Sequence, residues 1–298
     1  MTVTGQKTEA APREKISALR LGVRAHDFGQ MPADELASRI AAQGFSCVQL
    51  ALNKAVAGLD LQAGDLHGEL AREIGCAFEL HGVGIEVLGC YINPIHPDLK
   101  TRAALLEFFK DHLRFARDFG CGIVALESGS VNADYSPHPA NHGEAAFQTM
   151  LASISALVAV AEQFGVIVGL EAVTSHTVST PQKMRRVLDE IASDYLQVVL
   201  DPVNLLSPEN FRAQSRVVAE ALDLLGSDIA VVHVKDFIFE NGAMQTVPAG
   251  CGQLDFAPIL EYVRSQKPEV SILLEEVGEN IAGQCRKFLS TKYAEVEL

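Results

Sequence analysis

The chain alternates between short apolar runs and longer segments in which apolar residues recur with a helical period. Eight runs have the length of strands, and most are apolar at successive positions rather than at every second position. Such runs are typical of parallel strands that are covered on both faces. The runs are residues 19–25, 47–52, 85–92, 122–128, 166–173, 196–203, 229–236 and 271–278.

The segments between the runs predict helices, several of which are followed by a glycine just before the next run, a helix-ending signal. Alternation of strand and helix without a Pro-, Gly- or Ser-rich linker predicts one domain around a parallel sheet. An open doubly wound sheet is the alternative, but no GxGxxG motif follows the first strand. We therefore predict an α/β fold, a single (β/α)8 TIM barrel over residues 19–298, preceded by a flexible tail over residues 1–18.

Composition narrows the class of protein. The 298 residues are 48% hydrophobic, which suits a large globular core, and the formal net charge of −14 disfavours nucleic acid as a partner. The polar start resembles no signal peptide, and we see no stretch near the roughly 20 apolar residues that a membrane helix needs. The six cysteines form no Cys-x-x-Cys pair. We expect a cytoplasmic protein with reduced thiols and no membrane partner.

Four strands in the second half of the chain end on side chains that can bind a metal: Glu171, Asp201, His233 and Glu275. In a barrel these ends converge at one mouth. Because buried charges are costly unless they are paired or bind a metal, three carboxylates and an imidazole predict a divalent cation. Mn²⁺ fits this oxygen-rich set best, with Mg²⁺, Co²⁺ and Zn²⁺ also possible. Glu276 is an alternative to Glu275, since strand alternation allows only one of them inside.

Further polar residues follow the ends of other strands and are candidates for substrate contacts. His26 follows the first strand, and His176 lies in the loop after Glu171. Lys54, Asn93 and Glu127 follow the second, third and fourth strands. An exposed loop position is the alternative for each, and Glu127 could instead cap the following segment. The long segment over residues 129–143 is a candidate lid over the mouth.

The E/D/H/E series, written GLEAV, LDPVN, HVKD and LLEE, together with PAGCGQLDF at 248–256, resembles the xylose-isomerase-like barrel family of sugar phosphate isomerases and epimerases. The resemblance covers the chain from about residue 19 onward. It implies that Glu171 and Glu275 both bind the metal and exchange protons with a substrate carbon through an enediolate. It also implies a small sugar or sugar phosphate as the substrate.

The chain departs from the epimerases of that family at two positions. Asn204, a candidate for a substrate contact, stands where they carry a histidine, and Phe239 where they often carry an arginine. Lys235 and Asp236, in HVKD, are further candidates for substrate contacts; Lys235 could meet a carboxylate or phosphate, or could simply be solvated.

These departures leave isomerase, epimerase and dehydratase chemistry open. A phosphodiesterase of the apurinic endonuclease type and a sugar-binding sensor without catalysis are weaker alternatives. A homodimer is a further expectation, since the helical outer surfaces of barrels often pair.

Overall fold

The computed structural model describes residues 19–296, so the predicted tail over residues 1–18 lies outside the described residues. Within this part of the chain the strands are β1 (Leu21–Arg24), β2 (Cys47–Leu50), β3 (Gly84–Gly89), β4 (Ile123–Glu127), β5 (Ile167–Glu171), β6 (Leu196–Leu200), β7 (Ile229–Val234), β8 (Asp236–Glu240), β9 (Ala243–Val247) and β10 (Ser271–Leu274). The α-helices are α1 (Ala33–Ala42), α2 (Leu52–Ala55), α3 (Gly68–Leu80), α4 (Leu99–Phe115), α5 (Glu144–Phe164), α6 (Pro181–Ile191), α7 (Gln214–Leu225), α8 (Ala257–Gln266) and α9 (Glu279–Glu295).

Eight of these strands form a closed parallel barrel in the order β1-β10-β7-β6-β5-β4-β3-β2. The ring closes because β1 pairs in parallel with both β2 and β10. Each of the eight predicted apolar runs overlaps one barrel strand, and helices lie between successive strands. The predicted (β/α)8 TIM barrel is therefore confirmed. All six cysteines lie in residues 19–296 and are free thiols there.

The hairpin of β8 and β9, which lies outside the barrel, is absent from the sequence prediction. The two strands pair antiparallel from Asp236 opposite Val247 to Glu240 opposite Ala243. They are joined by Asn241 and Gly242, whose φ angles are both positive, at 53° and 81°. An Asn-Gly pair is a strong signal for a two-residue hairpin, so the sequence does contain the information for this element.

The barrel interior is a small apolar cluster, separate from the larger core between the strands and the helices. Its buried members are Cys47, Val87, Ile123, Ala125, Val199, Val231 and Leu273. Because side chains alternate along a strand, the residues two positions after the last inward apolar residue also face inward, at the carboxyl end of the barrel. This rule applies to Glu127, Asp201, His233 and Glu275, and Glu171 follows Gly169 in the same way.

Helix α5 corrects one expectation from the sequence. By length and composition it could cross a membrane, with a mean hydropathy of 1.5 over its most apolar window. Its apolar face packs in the larger core between the strands and the helices, through buried residues that include Phe147, Met150, Ile154 and Leu157. The helix ends at Gly165, which adopts the left-handed conformation (φ 62°) and confirms the predicted glycine stop.

Candidate active site at the carboxyl ends of the strands

Three of the four predicted metal ligands lie together, because Glu171 and Glu275 both approach the imidazole of His233. The ring nitrogen Nδ1 of His233 lies 3.2 Å from Oε1 of Glu275 and 3.5 Å from Oε2 of Glu171. All three side chains are buried. They come from β5, from β7 and from the residue after β10. In the ring, β7 lies beside β10 and is separated from β5 only by β6, which brings the three side chains together.

Asp201 and Asn204 complete this side of the mouth through the turn that follows β6. Oδ1 of Asp201 accepts backbone hydrogen bonds from Val203 and Asn204, at 2.8 and 3.3 Å. The amide Nδ2 of Asn204 in turn donates to Oε1 of Glu171 at 2.6 Å. Asn204, a predicted substrate contact, therefore holds the orientation of Glu171 in this structure.

Lys235 lies inside the carboxylate cluster rather than in solvent. Its Nζ is 2.7 Å from Oδ2 of Asp201 and 2.9 Å from Oε2 of Glu275, and the residue is only 5% exposed. Arg24 adds a second cation, with Nη1 3.5 Å from Oε2 of Glu275. Lys235 and Arg24 therefore partly compensate Asp201 and Glu275 from within the chain, which the sequence alone did not indicate.

The surroundings of Glu171 and Glu275 shift their pKa values in opposite directions. Burial raises the pKa of Glu171 above its ordinary value, and the nearby His233 only partly opposes this. Burial would also raise the pKa of Glu275, but Lys235, His233 and Arg24 outweigh it and hold that pKa well below its usual range. Burial alone would lower the pKa of His233, yet Glu275 and Glu171 raise it to about 10. Glu275 is therefore held ionised, whereas Glu171 is the glutamate that can be protonated.

The donor types of the four residues fit a divalent cation. In this structure, however, the positive side chains of Lys235 and Arg24 lie beside the carboxylates. Nδ1 of His233 faces Glu275 and Glu171, whereas its Nε2 is buried without a hydrogen-bond partner. Within residues 19–296, however, no group of three or more His, Cys, Asp or Glu side chains is arranged as a metal-binding cluster. A cation would compete with Lys235 for two carboxylates and with a proton for the imidazole.

The position of Glu276 resolves the ambiguity between neighbouring glutamates. Glu275 is 5% exposed and faces His233, whereas the side chain of Glu276 is 42% exposed. Glu276 adopts a left-handed backbone conformation, with φ at 59°, and its carboxylate lies 3.3 Å from Arg24. Of the two, Glu275 is the residue that the structure places in the cluster.

His26, Tyr91 and Lys54 form the wall of the mouth after the first three strands. The rings of His26 and Tyr91 meet edge to face at 5.9 Å, and Nζ of Lys54 lies 3.9 Å from the centre of the Tyr91 ring. Burial, together with the charges of Arg24 and Lys54, lowers the pKa of His26 to about 4. His26 is thus a neutral imidazole at physiological pH, and its buried Nδ1 has no hydrogen-bond partner. Such a group suits a hydroxyl ligand.

Glu127 and His176 form a second carboxylate–imidazole pair at the mouth. Nδ1 of His176 lies 3.1 Å from Oε2 of Glu127, and His176 is 6% exposed. Glu127 is the register partner of Glu171 on the neighbouring strand. The sequence named both residues as candidates for the mouth but gave no sign that they pair.

Asp236 accepts four backbone hydrogen bonds. Its Oδ1 accepts hydrogen bonds from the backbone amides of Phe237 and Leu254, and its Oδ2 accepts two from Gly250 and Gly252, all at 2.8–3.1 Å. Both oxygens are therefore engaged by the glycine-rich PAGCGQLD loop. The carboxylate of Asp236 therefore holds this loop in the structure, and its contact with the substrate stays a prediction.

Asn93 likewise holds backbone, and it fixes the segment that was a candidate lid. Its Nδ2 donates to the carbonyl groups of Ser130 and Asn132, and its Oδ1 accepts from the amide of Ser130. At the other end of the segment, Nδ2 of the buried Asn141 donates to the carbonyl of Ser175. The 129–143 segment is therefore a wall pinned to its neighbours, which opposes the expectation of a lid.

Sequence reasoning missed Arg24 and Tyr91 as residues of the mouth. Arg24 ends β1 and Tyr91 follows β3, two positions beyond Gly22 and Gly89. The same alternation places Lys235 two positions after His233, on the same side of β7. The available signal was the spacing of two along each strand, applied to basic and aromatic residues as well as to acidic ones.

The comparisons with known proteins agree with this architecture. The profile of the family described as "Xylose isomerase-like TIM barrel" matches residues 37–291. A D-tagatose 3-epimerase-like protein superposes with a TM-score of 0.72 at 17% identity, over 93% of this chain and 97% of that one. No curated protein matches the sequence.

Two further solved structures, a zinc-containing protein and a sugar epimerase, have a similar fold. The IOLI protein with a binding zinc atom has a TM-score of 0.71 and 16% identity, over 94% of this chain and 99% of that one. The 3-keto-D-glucoside 4-epimerase YcjR from E. coli, in its apo form, has a TM-score of 0.68 and 18% identity, over 92% and 99%. Likeness at such low identity shows the fold alone. The family match spans most of the chain, and on that ground the protein belongs to the xylose isomerase-like TIM barrel family.

Proposed function

We propose that this chain is a metal-dependent isomerase or epimerase of a small sugar, free or phosphorylated. The observation that carries the proposal is the pair of buried glutamates, Glu171 and Glu275, which both approach Nδ1 of His233. A hydroxyl-bearing carbon beside a carbonyl can lose its proton when the resulting enediolate is stabilised. Two carboxylates at one mouth can remove that proton and return one to a carbon.

The different environments of the two glutamates support a division of labour. Arg24, together with either Lys235 or a cation bound in its place, favours the ionised form of Glu275, so this glutamate enters the reaction as a base. Glu171, which is buried at the same mouth, is then the residue that returns a proton to the carbon. Asn204 fixes the Glu171 carboxylate by donating to Oε1.

The proposed cofactor is a divalent cation held by Glu171, Asp201, His233 and Glu275. Mn²⁺ is the first candidate, with Mg²⁺, Co²⁺ and Zn²⁺ as alternatives. The support is the donor set, the buried Nε2 of His233 without a hydrogen-bond partner, and the zinc atom in the IOLI structure. When bound, a divalent cation supplies positive charge that stabilises an anionic oxygen.

His26, His176, Asn204 and Lys235 are the proposed substrate contacts. His26 has a buried Nδ1 without a hydrogen-bond partner, and Nδ1 of His176 faces Glu127, so its other ring nitrogen is the one proposed to meet the substrate. Unsatisfied buried nitrogens are uncommon, and the hydroxyl groups of a sugar would satisfy them. Their position at the mouth that holds the glutamate pair supports a polyhydroxylated substrate over an apolar one.

Solvent deuterium exchange tests the proposal without knowledge of the physiological sugar. Metal-free protein is supplied with Mn²⁺ in D₂O and offered D-fructose, D-tagatose, D-psicose and L-ribulose in turn. We expect deuterium to enter a carbon of at least one ketose, and this exchange to disappear in Glu171→Gln. The exposed Glu276→Gln is the matched control and should retain exchange.

Absence of exchange from all four ketoses, with Mn²⁺ bound, would count against the proposal. A product lighter by one water would instead indicate a dehydratase, which shares the first proton abstraction and then expels a β-hydroxyl.

A further inference from the structure

The Glu127–His176 pair, on the β4 and β5 side of the mouth, has no part in the carbon chemistry proposed for Glu171 and Glu275. Glu127 ends β4 directly beside Glu171, and His176 reaches it from the turn after β5. Its Nδ1 is 3.1 Å from Oε2 of Glu127. The N–H direction is not aligned with this oxygen, so Nδ1 remains a buried nitrogen without a formed hydrogen bond. Bonds of this kind often tighten only when substrate is present.

The loops that carry the pair are fastened to each other. The backbone amide and the hydroxyl of Thr177 both donate to the carbonyl oxygen of Gly129 at 3.1 Å. The amide of Val178 donates to Oγ of Ser128 at 2.8 Å. These bonds join the turn that holds His176 to the residues immediately after Glu127. The pairing is therefore built by the fold and is not a chance contact of two mobile loops.

Tyr135 covers the imidazole of His176. The two rings meet edge to face with their centres 4.9 Å apart, and the Tyr135 hydroxyl donates to the carbonyl of Ile92 at 3.2 Å. Tyr135 adopts a left-handed backbone conformation, with φ at 67°. Strained non-glycine residues of this kind persist where the surroundings fix them and are common at functional sites.

Isomerisation of a sugar requires a group that transfers a proton between two oxygen atoms. When a ketose becomes an aldose, a hydrogen moves from C1 to C2 and a second hydrogen moves from the oxygen on C1 to the oxygen on C2. The C–H and C=O bonds change place, and no electrons are gained or lost overall. Epimerisation, by contrast, needs no net transfer between oxygens. A carboxylate that orients an imidazole leaves the other ring nitrogen ready to accept and return a proton.

We propose that the Glu127–His176 pair moves the hydroxyl proton between the two oxygens of the enediolate, which makes this barrel an aldose–ketose isomerase. His176 is the catalytic residue of the pair, and Glu127 is the positioning residue that orients it. This inference rests on the proposed function, because it needs the carbon proton transfer by Glu171 and Glu275.

The test measures two rates on the same Mn²⁺-loaded protein in D₂O, with the same four ketoses: deuterium entry into the ketose, and formation of the aldose. We expect His176→Gln to lose aldose formation by roughly 10²-fold, the usual contribution of general acid–base catalysis, while deuterium entry stays within about threefold. Glu127→Gln should show the same split with a smaller loss. The exposed His142→Gln is the matched control and should change neither rate.

Other outcomes overturn the inference in distinguishable ways. If the wild type exchanges deuterium but yields only an epimer, or if His176→Gln lowers both rates equally, this inference fails and the proposed function stands. If the wild type exchanges with no ketose, both fail together. Should His176→Gln not fold, the nearly isosteric Glu127→Gln decides the question: equal loss of both rates, or no loss of either, contradicts the pair's role.

Discussion

At the scale of single residues, Lys235 pairs with carboxylates that were predicted to bind a metal. Its ammonium group bridges Asp201 and Glu275, two of the four predicted metal ligands. A cation that uses all four donors must compete with this lysine, since both need the same carboxylate oxygens. Lys235 should therefore weaken cation binding at this site.

Replacing Lys235 with methionine should strengthen cation binding. The methionine keeps the length of the side chain and removes the competing charge, so we expect Mn²⁺ to bind at least about tenfold more tightly, or about 1.4 kcal/mol. Isothermal titration calorimetry of Mn²⁺ into the metal-free protein measures this. Lys54→Met, at the same mouth but over the Tyr91 ring, is the control. Unchanged or weaker binding in Lys235→Met would show that the lysine does not compete.

His112, on α4, should make the stability of the fold dependent on pH. It is 2% exposed, and its Nδ1 lies 2.9 Å from the carbonyl oxygen of Phe108. Burial lowers the pKa of His112, and the hydrogen bond and Asp111 only partly oppose this. The unfolded chain, with an ordinary imidazole pKa near about 6.5, then binds more protons than the folded chain. The stabilisation is complete above that pH and is lost as the pH falls below it.

We expect the melting temperature of the wild type to fall between pH 7.5 and 5.5, and to fall less in His112→Asn. Thermal denaturation followed by circular dichroism at the two pH values provides the comparison. His142→Asn, at an exposed position, should retain the wild-type pH dependence. Parallel pH profiles for wild type and His112→Asn would refute the assignment.

The sequence predicts which residues reach the mouth better than it predicts what they contact there. Glu171, His233 and Glu275 can be predicted because the sequence itself shows an apolar strand that ends in a polar residue. The contacts of Lys235 and the pairing of Glu127 with His176 depend on which rotamers meet across the barrel, and that information is three-dimensional. The part that Asp236 plays in holding the loop was hidden for the same reason, since three of its four backbone donors lie 14–18 residues further along the chain.

At the scale of elements, the β8–β9 hairpin and the glycine-rich loop form one unit around Asp236. Gly252 approaches so closely that a Cβ there would lie 2.2 Å from the carbonyl oxygen of Phe237 and 2.5 Å from Oδ1 of Asp236. Only glycine fits this position without displacement of the loop. The strands of the barrel were predictable from apolar runs, whereas this unit is polar and short and depends on one carboxylate.

Replacing Asp236 with asparagine should loosen this unit locally. One of its oxygens becomes an NH₂ group that faces backbone donors, which leaves buried amides unsatisfied at about 1–3 kcal/mol each. We expect faster hydrogen exchange at the amides of Gly250, Gly252 and Leu254, and a melting temperature lower by several degrees. Hydrogen–deuterium exchange with mass spectrometry resolves the local effect. Glu240→Gln, at the exposed end of the hairpin, should behave as wild type. Unaltered exchange at the loop in Asp236→Asn would contradict this role.

At the scale of the whole molecule, the closed barrel couples the site to the stability of the fold. The cluster draws on β5, β6, β7 and β10, which are neighbours in the ring, so a ligand bound there joins strands distant in sequence. Anything that binds the folded state in preference to the unfolded state raises the free energy of unfolding. Such coupling follows from topology, and the apolar runs were sufficient to predict that topology.

Mn²⁺ should therefore stabilise the protein against heat. At a free concentration of 100 times the dissociation constant, the gain is about 2.7 kcal/mol, enough to raise the melting temperature by several degrees. Differential scanning calorimetry with and without Mn²⁺ measures it. His233→Gln should lose the shift, whereas Glu276→Gln should keep it because Glu276 lies outside the cluster. Loss of the shift in Glu276→Gln alone would mean that the wrong glutamate has been assigned.

The most direct test of the metal site is an anomalous diffraction experiment at the manganese edge on crystals of the Mn²⁺-loaded protein. We predict a single strong peak within about 2.0–2.6 Å of donor atoms of Glu171, Asp201, His233 and Glu275, with Lys235 no longer between Asp201 and Glu275. A structure in which Lys235 still bridges these two carboxylates, and no anomalous peak lies beside His233, would contradict the account.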